Sequence, residues 1–303
     1  MNTSRFSRRL SLTGLAAASA LVLAACGGAD DNAEGPTANE DGVTTLTVGA
    51  TPVPHGQILD FVSQELGEDA GLEIEVVEFD DFQLPNRQMD EGNLDANYFQ
   101  HVPFLEQQIE DHGYEISHGD PVHIEPYALF SSQHDDVDDI AEGSTIGITS
   151  DAGNQPRALL LLEAVGMLED IEDDSAALTL TDEQNPMNLQ FEENPPEILA
   201  QVVDDASIDA AIINGNYFLE AGLDVNDALI VEDAEDSPYA NILAWNSADD
   251  GNEAIQQLEE LLHSQEVADY ITENWPEGEV IPATEASSDA DAETTDTETN
   301  DEE

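Results

Sequence analysis

The sequence predicts an α/β fold in two lobes joined by two crossover strands. Short apolar or alternating runs recur as strand candidates, at Leu46-Thr47-Val48 and at 72–79, 145–149, 208–213 and 228–231. Between them lie segments of helical spacing. Ile58, Leu59, Phe61, Val62 and Leu66 form one, Val102, Phe104, Leu105 and Ile109 another, and further helices fall at 156–166 and 196–203. Alternation on this scale indicates sheets with helices on their faces. Two extended stretches rich in aromatic and aliphatic residues, 127–131 and 239–245, divide the core into an N-terminal part, a middle part and a C-terminal helical part at 254–275. Two long crossings between two α/β lobes produce that division. Ligands of such proteins sit in the interlobe cleft, near strand C-termini and helix N-termini.

Along the chain, residues 1–25 read as an export signal: Arg5, Arg8 and Arg9, a largely apolar run at 10–23, then small residues. Leu23-Ala24-Ala25-Cys26 resembles the lipobox of bacterial lipoproteins, in which the cysteine becomes the lipidated N-terminus. Cys26 is the only cysteine, so no internal disulfide is possible. A lipid anchor on the extracytoplasmic face of the cell membrane is therefore expected. The twin-arginine resemblance of 7–12 is partial, and the export route stays open. Residues 26–43 read as a flexible tether, 44–128 with 233–283 as one lobe, 129–232 as the other, and 284–303 as a disordered acidic tail.

Charge narrows the function. Five cations face 69 acids, for a formal net charge of -64. Such a chain repels nucleic acid and anionic surfaces. Strand and helix patterns persist between the acids, so the reading is a folded protein with an acidic shell suited to high salt. At 1 M salt the Debye length is only ~3 Å. There is no lysine, and beyond the signal only Arg87 and Arg157 remain as cations.

Arg157 is the sharper of the two. It follows the strand at 145–149 in Ser150-Asp151-Ala152-Gly153-Asn154-Gln155-Pro156-Arg157. Asn154 suits an N-cap and Pro156 a first helical turn. The macrodipole disfavours a cation there and favours an anion. An Arg at that position is therefore either an anion anchor or a surface residue paired with one of the many carboxylates.

The other candidates carry similar alternatives. Phe99 and His101, in the block 95–101 taken as a strand–helix turn, are cleft residues or, respectively, core and surface. Asn214 ends a buried strand and is a cleft amide or a turn former. Asn241 sits in an apolar crossing strand, where an amide needs a partner. Glu125 precedes a crossing strand or is one more solvated acid. Phe82 lines a pocket or packs in the core. Together they compose a zwitterion site. Arg157 and its helix end hold a carboxylate, Asn214, Asn241 and Glu125 hold an ammonium, and Phe82, Phe99 and His101 enclose a side chain. No HExxH, nucleophile elbow, P-loop or GxGxxG occurs, and the seven histidines lack metal-ligand spacing. Neither catalysis, a cofactor nor a metal is expected.

Six motifs carry a resemblance. LPN at 84–86, DANYFQHVPFL at 95–105, HIEP at 123–126, NQPRALLLL at 154–162, AAIINGNYFLEAGL at 210–223 and EDSPYANIL at 235–243 together resemble the methionine-binding lipoproteins of the NlpA type, over roughly residues 44–282. The resemblance implies a two-lobed periplasmic-binding fold and a role as the substrate-binding component of a methionine ABC importer. It places Arg157 on the carboxylate-binding arginine, Asn214 and Asn241 on the two polar asparagines, and Phe99 and His101 on the FQH positions. Phe82 stands where many members have tyrosine, and Glu125 matches a subset. The expected partners are L-methionine or a related small zwitterion, an ABC permease and, through Cys26, the membrane; the protein is expected to be a monomer. The alternatives are D-methionine or a methionine-containing dipeptide on the same scaffold and, more distantly, a cell-surface enzyme or a cation-binding coat protein.

Overall fold

The computed structural model describes residues 35–39, 41–235 and 237–283. The export signal, Cys26 and the stretch 284–303 lie outside the described residues. The chain opens with β1 (Thr44–Ala50), a helical stretch containing α1 (Gln57–Phe61) and α2 (Gly67–Ala70), then β2 (Leu72–Glu78), α3 (Leu84–Asp90), β3 (Ala96–His101), α4 (Val102–His112) and β4 (Ile116–Ile124). It enters a second sheet with β5 (Ala128–Phe130), β6 (Thr145–Thr149), α5 (Gln155–Ala164), β7 (Gln190–Asn194), α6 (Leu199–Val202), β8 (Ala210–Ile213), α7 (Gly215–Glu220) and β9 (Ile230–Val231). It returns as β10 (Asn241–Asn246), α8 (Glu253–Leu262), α9 (Gln265–Asn274) and β11 (Ile281–Pro282).

The six-stranded sheet has the order β11-β4-β10-β3-β1-β2, and the five-stranded sheet β7-β6-β8-β5-β9. The chain thus crosses between sheets twice, through 125–127 and through 232–240. The central strands are parallel: β1 pairs with β2 and β3, and β6 with β7 and β8. Leu46, Val48 and Ala50 of β1 are fully buried against Ile255 and Leu258 of α8, as a strand covered by helices requires. Asn252 caps α8 by accepting from the backbone N–H of Ala254 and Ile255, and Ser264 caps α9 through Val267 N–H.

Three differences from the sequence reading have physical causes. The block 95–101 is not a turn. Residues 96–101 are β3 itself, buried along its whole length between β1 and β10. Its amides look like loop residues but close a network of their own, Asn97 to Asn86 at 2.9 Å and Asn86 to Gln100 at 2.8 Å. This also explains the LPN motif, whose Asn86 is fully buried. β4 was not expected, because Gly119, Asp120 and Pro121 interrupt it. They are tolerated because β11 covers only His123 and Ile124, leaving the rest of that edge unpaired. β7, rich in Glu and Asn, shows no apolar alternation and packs as an edge.

Candidate functional site

Four strand C-termini point at one place. β1 leads to Thr51 and His55, β3 ends in His101, β6 leads to Asn154 and Arg157, and β8 leads to Asn214. Between them lies a small, narrow cavity. All seven residues singled out from the sequence line it: Phe82, Phe99, His101, Glu125, Arg157, Asn214 and Asn241. Each is at least nine-tenths buried. Arg87 is not among the lining residues.

Arg157 sits in the first turn of α5, as expected, but its fork is not free. Nε lies 2.9 Å from Glu232 Oε1, Nη2 donates to the Glu125 carbonyl at 2.8 Å, and Nη2 also reaches Glu232 Oε2. Nη1 has no partner among the described residues. The guanidinium carbon is 4.0 Å from the Tyr127 ring centre and 4.6 Å from that of Tyr239. Two aromatic faces thus hold the cation flat. Burial alone would lower its pKa, and the Glu232 carboxylate more than offsets this, so the charge is secure. Glu232 is itself pinned. Its Oε2 accepts from Tyr127 N–H at 2.9 Å, and its own N–H donates to the Tyr127 carbonyl at 2.8 Å. That reciprocal pair ties the two crossing segments together.

A polar chain runs across the cavity. Asn214 Nδ2 donates to Tyr127 Oη, Tyr127 O–H donates to Asn154 Oδ1 at 2.7 Å, and His101 Nε2–H donates to the same Oδ1 at 2.9 Å. Asn154 occupies the cap position of α5 but makes no side-chain cap bond, because its oxygen is spent here. His101 Nδ1 accepts from Phe104 N–H and so caps α4. Burial, then the neighbouring Arg157 charge, lowers the His101 pKa to about 3, which keeps the ring neutral. Asn214 Oδ1 and Asn216 Nδ2, both buried, have no partner among the described residues. With Arg157 Nη1, the cavity therefore presents one unmatched acceptor and two unmatched donors among the described residues.

The apolar wall is aromatic. The Phe82 ring centre lies 5.9 Å from Phe99, 6.0 Å from Phe104 and 4.9 Å from Tyr217. Phe82 is thus both pocket lining and core. Asn241 stands where the pairing of β10 with β3 and β4 shifts register at 241–243, and such bulges re-aim side chains at sites.

One group could ligate a metal. His55, His123 and Glu125, all buried, place their donor atoms within 4.8 Å of one another. Their Nε2–Oε1 separations are 3.0 and 2.8 Å. Two ligands each about 2.1 Å from a tetrahedral zinc ion lie about 3.4 Å apart. As placed, the three are packed closer than ligands around an ion, with His123 hydrogen-bonded to Glu125.

The NlpA lipoprotein family model matches residues 46–284.

The chain belongs to that family.

A similar NlpA-type protein, the methionine-binding lipoprotein MetQ of Bacillus subtilis, is 33% identical over 282 residues, covering 92% of this chain and all of its own. Among solved structures, an ABC transporter periplasmic substrate-binding protein from Coxiella burnetii is 32% identical with a TM-score of 0.73, over 78% of this chain and 99% of its own. A nutrient binding protein from Burkholderia cenocepacia bound to methionine is 31% identical with a TM-score of 0.73, over 78% and 99%. The fold of this NlpA lipoprotein is therefore the periplasmic-binding type.

Sequence reasoning missed part of the site. Tyr127 and Tyr239 flank the cation but were read only as crossing-strand aromatics. Asn154 was read as a cap. Glu232 carried no signal among so many acids. His55 and His123 lie far apart in sequence and meet only through the fold. The signal that could have found three of them is motif membership, His123 in HIEP, Asn154 in NQPRALLLL and Tyr239 in SPYAN.

Proposed function

We propose that this NlpA lipoprotein is an extracytoplasmic binding protein, anchored through lipidated Cys26, that captures methionine between two lobes and delivers it to an ABC permease. The lobes are 44–128 with 233–283 and 129–232. The observation that carries the reading is the cavity itself: a flat, aromatic-held Arg157 and the buried carboxylate of Glu125, beside an apolar wall of Phe82, Phe99 and Phe104. A zwitterion with an unbranched apolar side chain matches each wall in turn. Its carboxylate meets Arg157 Nη1 and Asn216 Nδ2. Its ammonium meets Glu125, Asn214 Oδ1 and Asn241. The thioether packs on the rings.

The family is one of binding proteins, and the chain itself performs no chemistry. Binding selects the closed arrangement of the lobes, and the permease reads it.

The test is thermal unfolding of the mature domain in molar salt, with and without L-methionine. A ligand at 100 times its dissociation constant stabilises by about 2.7 kcal/mol. An upward shift in wild type that is absent in Arg157→Ala supports the reading. A wild-type protein stripped of bound ligand that shows no shift overturns it.

A further inference from the structure

The cluster beneath Glu125 is more elaborate than an ammonium acceptor requires. Glu125 Oε1 faces two imidazoles. His123 Nε2 hydrogen-bonds it at 2.8 Å, and His55 Nε2 lies 3.0 Å away without hydrogen-bonding geometry. Each ring is fixed at its other nitrogen by a hydroxyl. Thr51 Oγ1 is 2.6 Å from His55 Nδ1, and the Tyr98 hydroxyl bonds His123 Nδ1. All five side chains are buried. They come from the C-terminal end of β1, the segment after it, β3, β4 and the first crossing.

The protonation states follow from the geometry. A bare nitrogen lone pair facing an anionic oxygen at this distance would be repelled, so His123 Nε2 carries hydrogen and its Nδ1 accepts from the Tyr98 hydroxyl. Burial, then the charges around it, lowers the His55 pKa to about 4, and burial lowers that of His123 to about 3. Both rings are uncharged near neutral pH. His123 holds the carboxylate by a hydrogen bond and His55 by packing against it, without cancelling its charge. Burial pushes the Glu125 pKa up, with His55, Arg157 and the Asn216 backbone N–H opposing, so the ionised form is costly unless a further cation approaches. Arg157 does not pair with the carboxylate, because its hydrogen bond with Glu125 is to the backbone carbonyl. Glu125 Oε2 makes no hydrogen bond with another described side chain, and Glu125 lines the cavity.

Resting on the methionine reading above, we propose that His55 and His123 are positioning residues that present Glu125 as a fixed, uncompensated anion and thereby make the cavity select ligands with a protonated α-amine. The ligand ammonium is the missing counter-charge. The side chain of the ligand contributes affinity, and the His–Glu–His group contributes the demand for an amine. Rotating or reprotonating Glu125 relaxes that demand. The imidazoles never touch the ligand.

The experiment compares L-methionine with 4-(methylthio)butanoate, the same molecule without its amine, by calorimetry in molar salt. Wild type, His123→Ala, His55→Ala and His123→Gln are used. We expect wild type to prefer methionine by more than about a hundredfold, and His123→Ala and His55→Ala to lose at least about tenfold of that preference. Affinity for the amine-free acid should change much less. His123→Gln, which keeps an uncharged N–H donor, should recover part of the preference. If the alanine variants weaken both ligands equally, the histidines are merely structural and the proposal is overturned. An unchanged preference overturns it too, while methionine binding by wild type leaves the ligand reading standing. Wild-type protein that binds neither ligand removes the ligand reading and this proposal together.

Discussion

Arg157 grips Glu232 across 75 residues of sequence, with Nε 2.9 Å from Oε1 and 3.1 Å from Oε2. Their side chains are 3% and 13% exposed, and among the described residues no other arginine pairs with a carboxylate. Removing one member of a buried pair strands the other's charge, at a cost of about 3–5 kcal/mol. Arg157→Ala and Glu232→Ala should each lower stability by that order. The double variant should lose clearly less than the sum. Denaturant unfolding in molar salt gives all three values, and strict additivity would show that the two side chains are not coupled.

Gly215 presses on the other acid of the cavity. A Cβ added there would lie 2.4 Å from Glu125 Cβ and 3.3 Å from its backbone. No side chain can be accommodated without moving Glu125. Gly215→Ala should therefore weaken methionine binding at least about tenfold, which is about 1.4 kcal/mol. Calorimetric titration measures it. Wild-type affinity in this variant would mean that the position of Glu125 does not matter.

Asp151 gives a pH signature. Its Oδ1 accepts from Gly153 and Asn154 N–H, while its buried Oδ2 has no partner among the described residues. Burial raises its pKa from 3.8 to about 6, opposed by those hydrogen bonds. The folded state thus holds a proton that the unfolded chain releases. Stability contributed by this group is present below about pH 4 and is lost as pH rises to about 6. Asp151→Asn keeps the oxygen acceptor and abolishes the titration. The variant should be more stable than wild type at pH 7, by up to about 3 kcal/mol at 1.36 kcal/mol per pH unit, and the gap should close by pH 4. Thermal melts across that range, wild type against variant, decide it.

His101 titrates in the opposite sense. Its lowered pKa means that the unfolded chain takes up a proton, below about pH 6.5, that the folded ring refuses. Stability from this group is full above that pH and falls on acidification towards about pH 3. In His101→Gln the acid-side slope of stability against pH should be shallower by close to one proton. An identical slope would mean that the ring is charged in the fold.

Salt should act on the whole domain. The chain has 69 acids against five cations, and among the described residues Arg157 is the one arginine paired with a carboxylate, so repulsion is largely uncompensated. Raising salt from 0.1 to 1 M shortens the Debye length from about 10 to 3 Å. The melting temperature should rise steeply over that interval with sodium chloride, and a flat response would remove the acidic-shell argument.

Some of this was legible beforehand for definite reasons. A strand, a Gly-containing turn and Pro156 announced α5, and the scarcity of cations singled out Arg157. The leucines of 159–162 and the alternation of 72–78 are local patterns, visible without a fold. What stayed hidden depends on distant neighbours. β3 reads as a turn because its amides are satisfied by Asn86, on another element. His55 and His123 converge although their strands are separated in the sheet by β10 and β3. Glu232 has nothing in its surroundings to mark it, since its meaning comes entirely from Tyr127 and Arg157.

The reciprocal bonds between Tyr127 and Glu232 have a mechanical consequence. Two connecting segments tied by one rung resist twisting and sliding, because either motion stretches both bonds. Bending remains as the soft direction. Glu125 and Glu232 ride on the rails themselves, whereas His101 belongs to one sheet and Asn154 and Asn214 to the other. The two carboxylates of the site thus sit on the connections, and the neutral amides and the imidazole sit on the sheets that the connections join.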